Sequence, residues 1–175
     1  MSKPRVTPPA GKTGHMLRDS AMGLVPAIAD AYIRLFDRIW HNEAISPSLV
    51  EMLRLRNARI VDCVLCRSVR YDMARADGLS EEKVDQINDD YAHSSLSQRE
   101  KLALAFANSY LKQAGAVDPA TVAALKAEFS PAELAQMAIA LMTCHAGSRY
   151  AIGLGGLPET MPLMEMRVDR VLLGS

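Results

Sequence analysis

Two cysteines three residues apart, in the run Asp62-Cys63-Val64-Leu65-Cys66-Arg67-Ser68-Val69-Arg70, are the side chains of this sequence best suited to chemistry. Residues i and i+3 share one face of a helix, so the two sulfurs can meet. A helix capped by Asp62 places both cysteines in its first turn, where unpaired N–H groups and the positive end of the helix dipole favour a thiolate. Arg67 falls four residues after Cys63, and Arg70 four after Cys66. Such surroundings lower a thiol pKa from its usual value of about 8.5. Three readings of the pair stand: a redox or nucleophilic dithiol, two inert core cysteines, or half of a metal site. A structural zinc site needs two further ligands. The sequence has no second C-x-x-C and no closely spaced histidine pair. Cys144 and His145 are adjacent, so on a helix they point about 100° apart. His15, His41 and His93 are isolated singles, read as surface or capping groups. The expectation is no bound metal and no bound cofactor. A thioredoxin fold would need a βαβ context around the pair, and no such context is visible.

The rest of the composition limits the partners. The chain has 175 residues, suited to one domain, and is 49% hydrophobic, enough for a packed core. Lys plus Arg equals Asp plus Glu at 20 each. No net field draws in nucleic acid or an anionic membrane, and neither is expected as a partner. Three cysteines are too few for a disulfide scaffold, so a cytoplasmic, reducing location is expected. The first twenty residues lack the apolar core of a secretory signal. No apolar run has the length of a membrane span.

The elements that must position the cysteines are helical. Ser46-Pro47, Asp118-Pro119 and Ser130-Pro131 each put a capping side chain before a proline at the first helical position. Ser97 with Glu100 makes an S-x-x-E capping box, as does Ser130 with Glu133. Ser80 precedes two glutamates. Gly78, Gly115 and the cluster Gly153, Gly155, Gly156 and Pro158 mark stops. Apolar residues recur at steps of three or four, as in Leu24, Ile28, Tyr32, Leu35 and Ile39. No strand or hairpin pattern stands out. The prediction is an all-α bundle of six or seven helices near 21–40, 46–58, 62–77, 80–88, 97–114, 118–128 and 130–152. Residues 1–20, rich in Pro and Gly, read as a flexible arm, 21–157 as the helical domain and 158–175 as a tail. The segment 134–152, apolar over most of its circumference, reads as the central helix or as one covered by a second subunit.

Glu51-Met52-Leu53-Arg54-Leu55-Arg56-Asn57-Ala58 followed by Cys63-Val64-Leu65-Cys66 resembles the carboxymuconolactone decarboxylase/alkylhydroperoxidase-D-like (AhpD-like) family. The redox members of that family carry a glutamate about twelve residues before a C-x-x-C and a histidine four residues after it. The resemblance continues through Ala76-Asp77-Gly78-Leu79-Ser80-Glu81-Glu82-Lys83-Val84 and Leu96-Ser97…Glu100-Lys101-Leu102-Ala103-Leu104-Ala105-Phe106-Ala107 to Ser148-Arg149, covering roughly residues 20–157.

This resemblance implies an oligomer-forming AhpD-like helical bundle, a trimer or hexamer of one chain. It implies a thiol-dependent oxidoreductase that reduces a peroxide or disulfide. Cys66 would attack the small-molecule substrate, Cys63 would resolve it as a disulfide, and Glu51 would begin the proton relay. Electrons would come from an external dithiol, such as a lipoyl group on a reductant protein. The family histidine falls on Arg70 here, and arginine is always charged and cannot shuttle a proton. Arg70 is left to stabilise the Cys66 thiolate, to pair with Glu51 or to bind an anion. On a straight helix Glu51 would sit about 18 Å from Cys63, so a break between them is required. His145 and Arg149 are further candidates for lining the cavity, with Arg149 able to pair with a buried acid such as Glu51. The alternatives are a lyase of the decarboxylase type, with Glu51 and His145 as acid and base, and a redox-sensing or ligand-binding module.

Overall fold

The computed structural model describes residues 4–112 and 117–168. After a 3₁₀ turn at Ala21–Leu24, the described chain forms α1 (Pro26–Trp40), α2 (Pro47–Ile60), α3 (Val64–Ser68), β1 (Val69–Tyr71), α4 (Asp72–Ala76), α5 (Glu81–Asp85), α6 (Gln98–Lys112), α7 (Pro119–Glu128), α8 (Pro131–Leu154) and β2 (Met164–Met166), with a second 3₁₀ turn at Tyr91–His93. The caps expected from sequence are formed. Ser46, Ser80 and Asp118 accept backbone N–H groups at the starts of α2, α5 and α7. Ser130 and Glu133 bond reciprocally at the start of α8, and Ser97 and Glu100 at the start of α6.

Three expectations need correction. The helix expected over 62–77 is three elements, α3, β1 and α4. Its run Val69–Tyr71 pairs in parallel with Met164–Met166, so the predicted tail contributes a strand and the chain is mostly rather than wholly helical. The β-branched and aromatic residues Val69 and Tyr71 suit that strand. The helix expected over 80–88 ends at Asp85. Residues 113–116, with Gly115, lie outside the described residues, as do 169–175 of the expected tail.

The helix buried all round is α2, not the segment 134–152. Every residue from Leu49 to Ala58 is buried, four polar side chains included. Each of the four has a partner: Glu51 and Arg54 bind one another, Arg56 reaches Asp89 and Asn108, and Asn57 reaches Ser148. Buried polar groups persist only when hydrogen-bonded. In contrast α8 packs along α2 with one side and exposes Ile139 and Met142 on another. Trp40 and Phe36 of α1 close the core against Tyr71, with ring centroids 4.6 and 5.7 Å apart.

Residues 4–20, expected as an arm, lie against this bundle. The Arg5 N–H donates to Leu154 O and its guanidinium to the carbonyls of Ile152 and Gly153, the free carbonyl end of α8. Asp19 accepts from Thr13 and Gly14, and His15 is fully buried.

Candidate active site

The break that Glu51 requires occurs where α2 ends. Asp62 adopts a left-handed conformation with φ of 55°, an uncommon backbone state outside glycine. The chain reverses there and α3 begins back along α2. Asp62 therefore does not cap the next helix. Cys63 does: its sulfur accepts the N–H of Cys66 at 3.3 Å. Asp62 is exposed and pairs with Arg67.

Cys63 and Cys66 form a disulfide, with Cα atoms 5.2 Å apart. The two sulfurs differ in access. Cys63 has no exposed surface, whereas Cys66 is half-buried and contributes to the wall of a cavity of about 300 Å³. Aromatic and aliphatic groups of α1, β1 and α8, among them Tyr32, Phe36, Tyr71, Ala151 and Leu154, form one side of that wall. Pro4, Val6, Pro8, Met16 and Leu17 cover it from the N-terminal segment. Gly147 of α8 matters here, because a Cβ at that position would collide with the Tyr32 hydroxyl. That hydroxyl donates to Thr143 O at 2.9 Å, fixing the ring in the cavity wall.

The expected ionic partners of the pair are elsewhere. Because β1 interrupts the helix, Arg70 is not one turn from Cys66. Its Nε lies 3.0 Å from Glu81 Oε1, and its other N–H groups donate to Glu81 and to the carbonyls of Arg67 and Val69. Arg67 is bound to Asp62. The cation placed at the cysteine turn is Arg54, a residue the sequence reading left without a role. Arg54 donates to Cys66 O and Val69 O, each at 2.7 Å. Its remaining N–H groups hold both oxygens of Glu51 at 2.6 and 2.7 Å. Burial acts to lower the Arg54 pKa, but the Glu51 carboxylate outweighs it and holds the guanidinium firmly charged. The i, i+3 spacing of Glu51 and Arg54 on α2 was the available signal for this pair.

His145 and Arg149 do not form part of the cavity wall. Arg149 is exposed on α8. His145 Nδ1 lies 3.0 Å from Asn57 Oδ1, Asn57 Nδ2 lies 3.0 Å from Ser148 Oγ, and Ser148 Oγ lies 3.2 Å from Cys66 Sγ. Burial and the nearby Arg149 lower the His145 pKa, favouring neutral imidazole. Cys144 also borders the cavity. Burial pushes its thiol pKa up to about 12, so it stays protonated and inert. Among the described residues no three His, Cys, Asp or Glu side chains converge as metal ligands would.

Two solved structures share this architecture. A protein of unknown function from Agrobacterium tumefaciens, suggested to be the antioxidant defence protein AhpD, superposes with a TM-score of 0.69. It is 20% identical, over 91% of this chain and 100% of that one. A peroxidase-related protein from Ralstonia eutropha with an alkylhydroperoxidase AhpD core gives a TM-score of 0.70 at 16% identity, over 99% and 98% of the two chains. The fold is AhpD-like. No protein-family model matches the sequence, and no curated protein matches it. In this AhpD-like fold no described helix is long and apolar enough to cross a membrane.

Proposed function

We propose that this chain is a thiol-dependent oxidoreductase of the AhpD type, reducing a small apolar hydroperoxide through Cys66 and Cys63. The observation that carries this reading is the unequal placement of the two sulfurs, Cys66 in the wall of an apolar cavity and Cys63 sealed behind it. The Cys66 thiolate attacks the terminal peroxide oxygen. An S–O bond forms, the O–O bond breaks, and the departing alkoxide takes the proton that Cys66 released on ionising. The Cys63 thiol then attacks the Cys66 sulfenic acid, water leaves, and the disulfide closes. An external dithiol, of the lipoyl type and carried on a reductant protein, returns two electrons and two protons. Such a cycle suits a reducing compartment, the cytoplasm.

The lyase alternative is poorly supported. It needs Glu51 and His145 in the cavity as acid and base, whereas Glu51 is locked to Arg54 and neither residue borders the cavity. We also propose self-association as a trimer or hexamer. Ile28 and Leu35 of α1 and Ile139 and Met142 of α8 are exposed apolar side chains that a second copy would cover.

The test is turnover of tert-butyl hydroperoxide by pre-reduced protein. One equivalent of peroxide should disappear for each disulfide formed, Cys66→Ser should abolish the reaction, and Cys63→Ser should stop it at the sulfenic acid. Equal, slow loss of peroxide with wild type and Cys66→Ser would reject the peroxidase reading.

A further inference from the structure

Ser148 lies on α8, across the helix interface from the reacting sulfur, and its hydroxyl has two polar neighbours. Asn57 Nδ2 is 3.0 Å away and Cys66 Sγ is 3.2 Å away. An amide N–H can only donate. Ser148 Oγ therefore accepts from Asn57, which leaves its own hydrogen to point at the sulfur. Asn57 is oriented in turn by His145, whose Nδ1–H donates to Oδ1 across 3.0 Å. Turning the amide over would undo this. Nδ2 would then face the imidazole, Oδ1 would take the Ser148 hydrogen, and the sulfur would lose its donor. A proton on His145 Nδ1 thus sets the direction of the whole chain.

We propose that Ser148 is a catalytic residue of the thiol cycle, donating a hydrogen bond to the Cys66 sulfur, and that Asn57 and His145 are positioning residues that aim it. The inference rests on the thiol reading above and deepens it. It assigns the support of the Cys66 thiolate to Ser148 with Asn57 and His145, in place of Arg70.

The physical reason is a difference between states. A hydroxyl donates weakly to a disulfide or thiol sulfur and more strongly to a thiolate, because a bond to an ionised acceptor is roughly twice as strong. Ser148 therefore favours the reduced, ionised form of Cys66, the one that attacks. The cations near the cysteine turn are engaged elsewhere. Arg54 binds the Cys66 carbonyl and is matched by Glu51. Arg67 is taken by Asp62, and Arg70 by Glu81. Cys144, Tyr32 and Tyr71, which share the cavity, are kept protonated by burial. The site is also prepared sterically. Asn57 is fully buried and Ser148 almost so, which shields the chain from competing water.

The experiment uses full-length reduced protein carrying Cys63→Ser, so that no disulfide can form. The alkylation rate of Cys66 by iodoacetamide is followed against pH, with Cys66 and Cys144 told apart by peptide mass. Ser148→Ala should raise the Cys66 pKa and slow its alkylation at neutral pH about tenfold, the loss expected for one hydrogen bond to a charged acceptor. Ser148→Thr retains a hydroxyl at the cavity edge and should restore most of that rate. His145→Phe, which frees Asn57 to turn, should shift the profile in the direction of Ser148→Ala. Circular dichroism checks that each variant is folded. Superimposable profiles for the parent and Ser148→Ala would overturn the inference while leaving the thiol reading intact. Equal slowing by alanine and threonine would overturn it too, because packing rather than the hydroxyl would then be responsible. A parent Cys66 that resists alkylation in the folded protein but not in the unfolded one would reject the thiol reading itself, and this inference with it.

Discussion

Arg54 grips both oxygens of Glu51 with two of its N–H groups and the carbonyl of Cys66 with a third, joining α2 to the cysteine turn through one buried guanidinium. Glu51 is fully buried and Arg54 nearly so. The carboxylate that the family resemblance marks as a proton carrier is held here by Arg54. It reaches the redox pair only through Arg54, and it reaches the backbone rather than a sulfur.

Removing one member of such a pair leaves an uncompensated buried charge. Glu51→Gln should destabilise the fold by about 3–5 kcal/mol, read from urea unfolding. Arg54→Met should cost a similar amount, because it also frees the carbonyls of Cys66 and Val69. The double variant should cost clearly less than the sum of the two. A loss below about 1 kcal/mol for Glu51→Gln, the range of exposed pairs, would contradict the buried arrangement.

Gly147→Ala probes the cavity wall. In an open helix this change would stabilise by about 1 kcal/mol. Here the new Cβ meets the Tyr32 hydroxyl, so Tyr32 must leave Thr143 O and swing its ring. The expected net result is a loss of about 1–3 kcal/mol, the cost of overpacking, with a matching fall in melting temperature. Turnover of a bulky hydroperoxide should fall more than that of hydrogen peroxide. A rise in melting temperature would show that Tyr32 is free to move aside.

The N-terminal cover should respond to pH through His15. Its ring is fully buried, and Nδ1 accepts the N–H of Leu17 at 3.2 Å, a role open only to an unprotonated nitrogen. Burial, and then the charge of Arg18, lower its pKa from 6.5. Below pH 6.5 the unfolded chain takes up a proton that the folded chain refuses, so stability falls with pH in that range and is complete above it. Protease susceptibility of residues 4–20 should rise between pH 7 and pH 5. His145, lowered in the same direction, contributes elsewhere in the molecule. His15→Gln should remove the pH dependence of cleavage in the arm while leaving that of global unfolding largely in place. Unchanged pH-dependent cleavage in His15→Gln would reject this role.

The parts of the site legible in the sequence were those fixed by neighbours along the chain. The S-x-x-E and Ser-Pro patterns gave correct helix starts, because a cap is a bond between residues three apart. The C-x-x-C spacing brought the sulfurs together for the same reason. Arg70 was misplaced because its relation to Cys66 assumed an unbroken helix. Val69–Tyr71 instead pairs with Met164–Met166, more than ninety residues later in the chain. The same distant pairing hid the strand, since three residues carry too little alternation to be recognised alone.

By itself the sequence determined a helical chain, the positions of its caps, and a dithiol turn preceded by a glutamate. These depend on backbone hydrogen bonding and side-chain reach over three or four residues. Only the tertiary structure decided which charges and hydroxyls stand at the sulfur. It put Arg54 rather than Arg70 at the turn, and brought Ser148 from a helix more than eighty residues away to Cys66. The reason is that α2 is buried on every side, so each of its polar groups must find a partner, and apart from the Glu51–Arg54 pair those partners come from segments distant in the chain that pack against it.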